Sequence, residues 1–364
     1  MPKSANQWRE RLRRFAADEC RSSRLYEVVS LGMAGDPELL DWIAAVSHPR
    51  GDATLVLAAV HERLLAGVDG GGLERFYPNL TASVAPADDA YPAFRAFVWN
   101  HRDELAPLLG ARGTQTNEVR RCTYLLPALV VAAARTARPL WIVDVGASAG
   151  LNLLFDRYAY DYGGGELAGD PKSPVLVTTQ LRAVRPPTAP LPRIAGRIGL
   201  DLAPVDVDDP AATRWLEACV WPEHVERFAT LRAALALART AKPRVLAGNA
   251  VDVLPSQIAN ADPAAAAVVV NTNVLLYFSA TERAAYGRVL REAAAQRELF
   301  WVANEHPRLL RQAGFERPIA VSNDPAALPL AITHFHDGKR DELVVAEVGP
   351  HGRWLDWFTP PRPA

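Results

Sequence analysis

The chain has 364 residues, with 40 basic and 41 acidic side chains and a formal net charge of -1. Its length is enough for one large domain or two ordinary ones, and its balanced charge argues against a global electrostatic footprint for nucleic acid. Three cysteines without C-x-x-C spacing argue against a disulfide framework or a zinc site. The N-terminus is charged where a signal peptide is apolar, and the most apolar run, 125–134, is about half the length needed to cross a bilayer. We therefore expect a cytoplasmic protein that binds neither nucleic acid nor a membrane; the sequence does not indicate its oligomeric state.

Residues 1–138 have helical periodicity and almost no strand signal, which predicts an all-helical N-terminal cap domain. Trp8, Leu12 and Phe15 would share one face of the first helix, and Asp36-Pro37 is typical of a helix start. The last helix of this region opens on a cluster of polar residues and then runs, in an apolar pattern, directly towards the first predicted strand.

From Trp141 onward, predicted strands alternate with helices, which indicates a mostly parallel sheet. The strand candidates are WIVDV, RIGLDL, RVLAG, AAVVVNTNVL and ELFWVA, followed by LAITHFHD and ELVVAEV. The turn Asp337-Gly338-Lys339 would join the last two as an antiparallel hairpin. Residues 139–364 are thus predicted to form one α/β domain, with the seven-stranded sheet of class I methyltransferases and an insertion at about 157–195.

The stretch WIVDVGASAGLNLLF, residues 141–155, fits two chemistries. As G-x-S-x-G it is the nucleophile elbow of a serine hydrolase, with Ser148 as nucleophile. As a glycine-rich turn after a first strand it is the ligand-binding turn of a nucleotide-binding α/β sheet. An elbow normally follows several strands, and nothing upstream has a strand pattern, so the second interpretation is favoured.

Under this interpretation, an acid at the end of the second strand should hold the ribose hydroxyls of S-adenosylmethionine. Glu166 has the usual spacing from the glycines but lies in a turn pattern, whereas Asp201 follows a proper apolar strand and is preferred. Asn249 stands where class I methyltransferases usually have an aspartate near the adenine. The residues predicted to bind the cofactor are Asp144, Gly146, Ala147, Ser148, Gly150, Asp201, Leu202, Asn249, Ala250 and Asn271.

Segments along nearly the whole chain resemble an uncharacterised bacterial family that is treated as class I methyltransferase-like. They are GTQTNEVRRC, VDVGASAGLNLLFDRY, YDYG, GDP, GLDLAPVDV and EACVWPEHVERFATLRAAL. The resemblance implies the fold and brings no assigned reaction. The chain departs from the family pattern at Asn271 and Thr272, where a His-Ser pair is frequent, so the resemblance implies no general base at that place.

Further polar residues are predicted to line a pocket for the cofactor or a small-molecule substrate. They are Arg112, Gln115, Thr116, Asn117, Arg121, Asn273 and Tyr277. Arg112 or Arg121 would pair with the methionine carboxylate, and Gln115 to Asn117 would face the glycine turn.

Glu305 and His306 are the candidates for a catalytic base, because they follow the fifth predicted strand. His334 and His336 share a strand face but lack a neighbouring carboxylate cluster, so no metal is predicted. The leading hypothesis is S-adenosylmethionine-dependent methyl transfer to a small molecule. The alternatives are a non-catalytic binding or scaffold module on the same fold, and the serine hydrolase.

Overall fold

A computed structural model describes residues 3–49, 51–315, 324 and 326–363, and the chain divides into two compact units. We call Met1–Thr116 with Asp208–Arg232 the helical unit, and Asn117–Val207 with Ala233–Ala364 the sheet unit. These bounds differ from the predicted division after residue 138, because the helix before the first strand packs on the sheet and a later segment packs among the N-terminal helices.

Several helices begin where a polar cap or a proline precedes an apolar pattern. Ser4 and Gln7 form a capping box at the first helix, and Asp36 caps the third one ahead of Pro37. The α-helices are α1 (Ala5–Asp18), α2 (Arg24–Ala34), α3 (Pro37–Val46), α4 (Ala53–Leu65), α5 (Ala90–Asn100), α6 (Arg102–Ala111), α7 (Cys122–Ala134), α8 (Pro210–Ala218), α9 (Val225–Ala241), α10 (Ala250–Ala259), α11 (Ala280–Ala294) and α12 (Pro307–Gln312). None of the helices described here is both long enough and apolar enough to cross a membrane.

The core of the helical unit includes the predicted face of α1, whose residues Trp8, Leu12 and Phe15 are all buried. The segment 208–232 joins this core through Trp215 of α8, whose indole donates to the carbonyl of Gly113 at 3.0 Å. On α4, His61 is completely buried and its Nδ1 lies 3.1 Å from the carbonyl oxygen of Ala218, while burial lowers the pKa of His61 to about 4. These contacts fix α8 against α4.

Within the described residues, the sheet unit contains one nine-stranded and one three-stranded sheet. The strands are β1 (Leu140–Val145), β2 (Ala159–Asp161), β3 (Leu167–Gly169), β4 (Leu176–Thr178), β5 (Gln180–Leu181), β6 (Ile194–Asp201), β7 (Val245–Ala247), β8 (Ala266–Thr272), β9 (Leu299–Asn304), β10 (Leu328–His336), β11 (Lys339–Val348) and β12 (Trp354–Pro363). The order in the large sheet is β5-β12-β11-β10-β9-β8-β1-β6-β7.

The structure confirms a large, mostly parallel sheet that follows N-terminal helices. Strands β7, β6, β1, β8 and β9 run parallel, and β10, β11 and β12 continue the sheet in antiparallel fashion. The sheet is larger than the seven strands predicted, because the C-terminal segment pairs with β11 and the short strand β5 pairs with β12.

Strand β1 lies between β6 and β8, so the chain crosses over in opposite directions on its two sides. Such a switch point opens a crevice at the carboxyl ends of the strands, where open α/β sheets bind ligands. Helix α7 packs on one face of the sheet, and α10 and α11 pack on the other. The register aligns Asp144 with Gly199, and Asn271 with Val145 and Ala303, which brings the carboxyl ends of four strands together.

The predicted insertion holds the small sheet, ordered β3-β2-β4, together with β5. The three alternating tyrosines of this region, Tyr158, Tyr160 and Tyr162, are buried. Each hydroxyl donates to a main-chain carbonyl within the sheet unit. These tyrosines therefore serve packing, and the segment is a structural support beside the glycine turn.

Substitution of Gly146 tests how closely the turn after β1 is packed. Its φ is +78°, and a Cβ there would lie 2.6 Å from Cγ2 of Val274. We expect Gly146→Ala to lower the free energy of unfolding by about 3 kcal/mol, because left-handed strain adds to overpacking. Gly163 is the matched control, since its φ is +83° but a Cβ would meet nothing within 4 Å. Gly163→Ala should cost only about 1 kcal/mol in urea unfolding, and equal losses would contradict the close packing.

Candidate functional site

The turn between β1 and the next segment, Gly146–Gly150, has left-handed backbone at three positions. The φ values are +78° at Gly146, +54° at Ser148 and +73° at Gly150. The N–H groups of Gly146 and Ala147 donate to the Leu200 carbonyl at 2.8 and 3.1 Å, and that of Gly150 donates to the Ala147 carbonyl at 2.7 Å. The turn is thus tied to β6 by main-chain bonds.

Two side chains take the remaining amides of the turn. The N–H of Ser148 donates to Oδ2 of Asp201 at 2.8 Å, and Oδ1 of Asn117 accepts from Ala149 at 3.1 Å and from Leu151 at 3.4 Å. Every N–H from residue 146 to 151 therefore has a partner within the chain. A pyrophosphate needs free N–H donors in such a turn, so this one is not built for a dinucleotide.

The surroundings of Ser148 do not favour a nucleophile elbow. Its Oγ is buried and has no hydrogen-bond partner in the described part of the chain, so no histidine there activates it. The N–H of Ala149, which an elbow would use in its oxyanion hole, already donates to Asn117. A 3₁₀ helix over Leu151–Arg157 follows the turn in place of an α-helix. The hydrolase alternative loses its support.

Buried polar atoms without hydrogen-bond partners mark the site. Among the seventeen such side-chain atoms in the described residues, five lie at this edge: Asp144 Oδ2, Ser148 Oγ, Asn271 Nδ2, Glu305 Oε2 and Arg121 Nε. Each belongs to the end of β1, β8 or β9, to the glycine turn, or to the start of α7. A buried polar group without a partner costs about 1–3 kcal/mol, and folded proteins contain few of them. Five such atoms at the carboxyl ends of neighbouring strands are polar groups with which a ligand could complete its hydrogen bonds.

Acidic side chains outnumber basic ones at this edge of the sheet. Burial raises the pKa of Asp144 to about 7, against the effect of Arg121 and with that of Asp201. Burial also raises the pKa of Glu305 to about 7, although the N–H groups of Val274 and Leu275 bind its Oε1 and Arg121 lies near. Two buried carboxyl groups thus lie near one guanidinium, and a cationic group of a ligand would favour their ionised forms.

Arg121 is held at the carboxyl end of β8. Its Nη1 donates to the carbonyl oxygen of Thr272 at 2.7 Å and to the hydroxyl of Thr272 at 3.2 Å, which leaves Nε as the unpartnered atom. The sequence reasoning missed Thr272. Its position at the end of an apolar strand, between Asn271 and Asn273, is the signal that could have found it.

Several residues that were predicted to bind the cofactor lie at this edge but hydrogen-bond to other parts of the chain. Asn249 caps α10 by accepting from Val251, and its amide donates to Glu282 at 3.0 Å. Oδ1 of Asn271 accepts from the hydroxyl of Tyr286 at 2.6 Å and from Nε1 of Trp301 at 2.8 Å. Both bonds lie on the face covered by α11. Asn249 and Asn271 thus hold helices, and their predicted contacts with the adenine remain predictions.

Other members of the predicted set are exposed or partly buried. Leu202 is 73% exposed and Tyr277 is 71% exposed, whereas Asn273 is partly buried with a φ of +55°. Ala250 is the buried first residue of α10. His306 is exposed, and its Nδ1 accepts from the N–H of Arg308 as the cap of α12.

The polar cluster of residues 112–121 is divided between the two units. Asn117 and Arg121 belong to the sheet unit and take part in the site. Arg112, Gln115 and Thr116 belong to the helical unit, where the guanidinium of Arg112 lies 5.4 Å from the ring centre of Trp215. Their role at the glycine turn remains a prediction.

Comparisons with known proteins identify the family. The chain matches the family described as "Uncharacterized protein conserved in bacteria (DUF2332)" over residues 9–357, and it belongs to this family. A search among curated proteins finds no match. Among solved structures, TrmN from Thermus thermophilus is similar with a TM-score of 0.24 and 13% identity, over 66% of this chain and 53% of that one. The chain thus spans about half the length of that protein, and a likeness this low carries no argument.

The pH dependence of the free energy of unfolding tests the raised pKa values of Asp144 and Glu305. An acid whose pKa rises on folding binds its proton more tightly in the folded state, so its contribution is complete below the unfolded pKa and is lost as the pH rises towards about 7. From about pH 5 to about pH 8, the free energy of unfolding of the wild type should fall by on the order of 2 kcal/mol more than that of Asp144→Asn or Glu305→Gln.

Urea titrations across this range measure the difference. Asp252→Asn is the control, because this acid is exposed in the first turn of α10 and should leave the slope unchanged. If the wild type and Asp144→Asn lose stability in parallel, the carboxyl of Asp144 is ionised at both pH values and the account of its burial is wrong.

Proposed function

We propose that this member of the family is an S-adenosylmethionine-dependent methyltransferase that acts on a small molecule. The observation that carries the proposal is the set of unpartnered buried polar atoms around the glycine turn, at the switch point of the sheet. The turn also supports it, because a ligand without a pyrophosphate needs none of the N–H donors that Asn117 and Asp201 already bind.

The charges of the site suit a ligand with one carboxylate and cationic groups. S-adenosylmethionine has a carboxylate, an ammonium group and a sulfonium centre, and is a net cation. Arg121 would bind the carboxylate, since its Nε is buried without a partner. Asp144 would accept from the ammonium group through Oδ2, which has no partner either. Both pairings would replace missing hydrogen bonds with charge-assisted ones.

Asp201 fits the ribose because its carboxylate keeps free acceptor capacity. Oδ2 accepts from Ser148, and Oδ1 accepts from Ala203 at 2.9 Å. A carboxylate offers about four acceptor positions, so two remain for the ribose hydroxyls. The next residue, Leu202, exposes an apolar side chain that could cover one face of the adenine.

Methyl transfer needs positioning and the exclusion of water more than dedicated catalytic groups. S-adenosylmethionine would supply a methyl group that its sulfonium sulfur already activates. Glu305 is the better-supported base of the two predicted ones, because it is 1% exposed, its Oε2 is free, and a pKa of about 7 suits proton transfer at neutral pH. His306 is exposed and engaged as a helix cap.

Calorimetric titration with S-adenosylmethionine tests the proposal. The wild type should bind with one-to-one stoichiometry, and Asp144→Asn should bind at least about tenfold more weakly, because the ammonium group loses a charged acceptor. The exposed Asp252→Asn should bind like the wild type. No saturable heat from the folded wild type would refute the proposal. Binding without transfer of a labelled methyl group to any small molecule would favour the non-catalytic alternative.

A second titration separates the two candidates for the ribose acid. Asp201→Ala should weaken binding by roughly 2 to 3 kcal/mol, because two hydrogen bonds to a charged acceptor are lost. Glu166→Ala should change little, because Glu166 is exposed in the loop between β2 and β3. Asp201 also binds the turn, so Asp201→Asn, which keeps one acceptor oxygen, should lose less affinity than Asp201→Ala. The opposite ranking of Asp201 and Glu166 would move the ribose to the small sheet.

A further inference from the structure

A second cluster of polar and ionisable side chains lies at the opposite end of the parallel strands, where β9 begins and β10 ends. His334 and His336 belong to β10 and Asp341 to β11, and one nitrogen or oxygen from each lies within 4.8 Å of the others. The hairpin creates this proximity, since a two-residue turn pairs His334 with Asp341 directly. Nε2 of His336 lies 3.0 Å from Oδ2 of Asp341. The carboxylate that the sequence analysis did not find beside the two histidines is therefore supplied across the hairpin.

A fourth residue orients His334. Its Nε2 lies 2.9 Å from Oε1 of Glu298, the residue before β9, and its ring stacks on Phe300 with 3.9 Å between ring centres. When Nε2 donates to this carboxylate, Nδ1 of the neutral ring keeps its lone pair. A carboxylate that accepts from the second nitrogen of a histidine is the usual outer partner of a metal-bound imidazole.

The cluster also borders open space. A cavity of about 1130 Å³ at this edge is lined by His334, His336, Asp341 and Glu298, and by Arg135 at the end of α7. A cation can therefore reach the cluster from solvent, and exogenous ligands have room to complete its coordination. Asp341 and His336 are partly exposed, so their side chains can rotate to shorten the ligand separations towards the roughly 3.3 Å of a tetrahedral zinc site.

We propose that His334, His336 and Asp341 form a binding site for a divalent transition-metal ion with the preferences of Zn²⁺, and that Glu298 orients His334 in it. Two imidazoles and a carboxylate are a ligand set that zinc accepts, with a fourth position left for water or a substrate atom. This site is at the other edge of the sheet from the proposed cofactor site, and neither proposal depends on the other.

Substitution of Arg135 distinguishes a metal site from a simple surface ion-pair network. Its Nη2 lies 3.2 Å from Oδ2 of Asp341, so it competes with a metal ion for that oxygen. Removing it with Arg135→Gln should tighten metal binding several-fold, because a competing positive charge is lost. The ligand variants Asp341→Asn and His336→Gln should each weaken binding at least tenfold.

The measurement is calorimetric titration of the full, untagged chain with ZnCl₂, together with visible absorption after addition of CoCl₂, which reports the metal's coordination directly. One-to-one binding, weakening in both ligand variants and tightening in Arg135→Gln are the expected results. His48→Gln is the control for loss of one exposed imidazole and should bind like the wild type. Circular dichroism in metal-free buffer shows that each variant is folded. No saturable binding by the wild type, or equal affinity in folded Asp341→Asn, would overturn the proposal.

Discussion

The arrangement of the carboxyl ends of β1, β6 and β8 depends on how two side chains accept hydrogen bonds from the turn after β1. Asn117 and Asp201 accept from two of its N–H groups and from that of Leu151, which follows it, and main-chain carbonyls accept from the others. Without these acceptors, a buried turn with positive φ at three positions would leave several donors unpaired, at about 1–3 kcal/mol each. The same bonds tie the start of the sheet unit and the end of β6 to the end of β1. They fix where the turn lies and remove its capacity to bind phosphate.

Because the turn is satisfied within the chain, the unmet hydrogen-bonding capacity of this edge lies on side chains. Asp144, Glu305 and Arg121 each keep one buried atom without a partner, and the two acids hold protons more tightly than usual. A ligand that pairs with these atoms would recover desolvation free energy that the folded chain alone does not. Ligand binding and stability are linked for this reason, since a molecule that binds only the folded state raises the free energy of unfolding.

Sequence patterns located the parallel strands because each is an apolar run bounded by turn residues, and Asp201 followed from its position at a strand end. The patterns missed β12, since it contains prolines, and the pairing of β5 with β12 depends on partners distant in the chain. They also placed 208–232 with the sheet, whereas Trp215 packs among the N-terminal helices. Asp341 could have been found, because a two-residue turn at Asp337-Gly338 fixes the register of the hairpin.

Strand β9 runs from the end of the sheet with the proposed metal site to the end with the proposed cofactor site, and a glutamate flanks it at each end. Glu298 precedes it and Glu305 follows it, so about 3.3 Å per residue places them roughly 23 Å apart. One oxygen of Glu298 lies beside His334, whereas one oxygen of Glu305 has no partner and the other binds two N–H groups. The same residue type thus hydrogen-bonds an imidazole at one end of the strand and has a raised pKa at the other. All six residues of the strand between them are buried, so a packed element and not a shared cavity separates the two proposed sites.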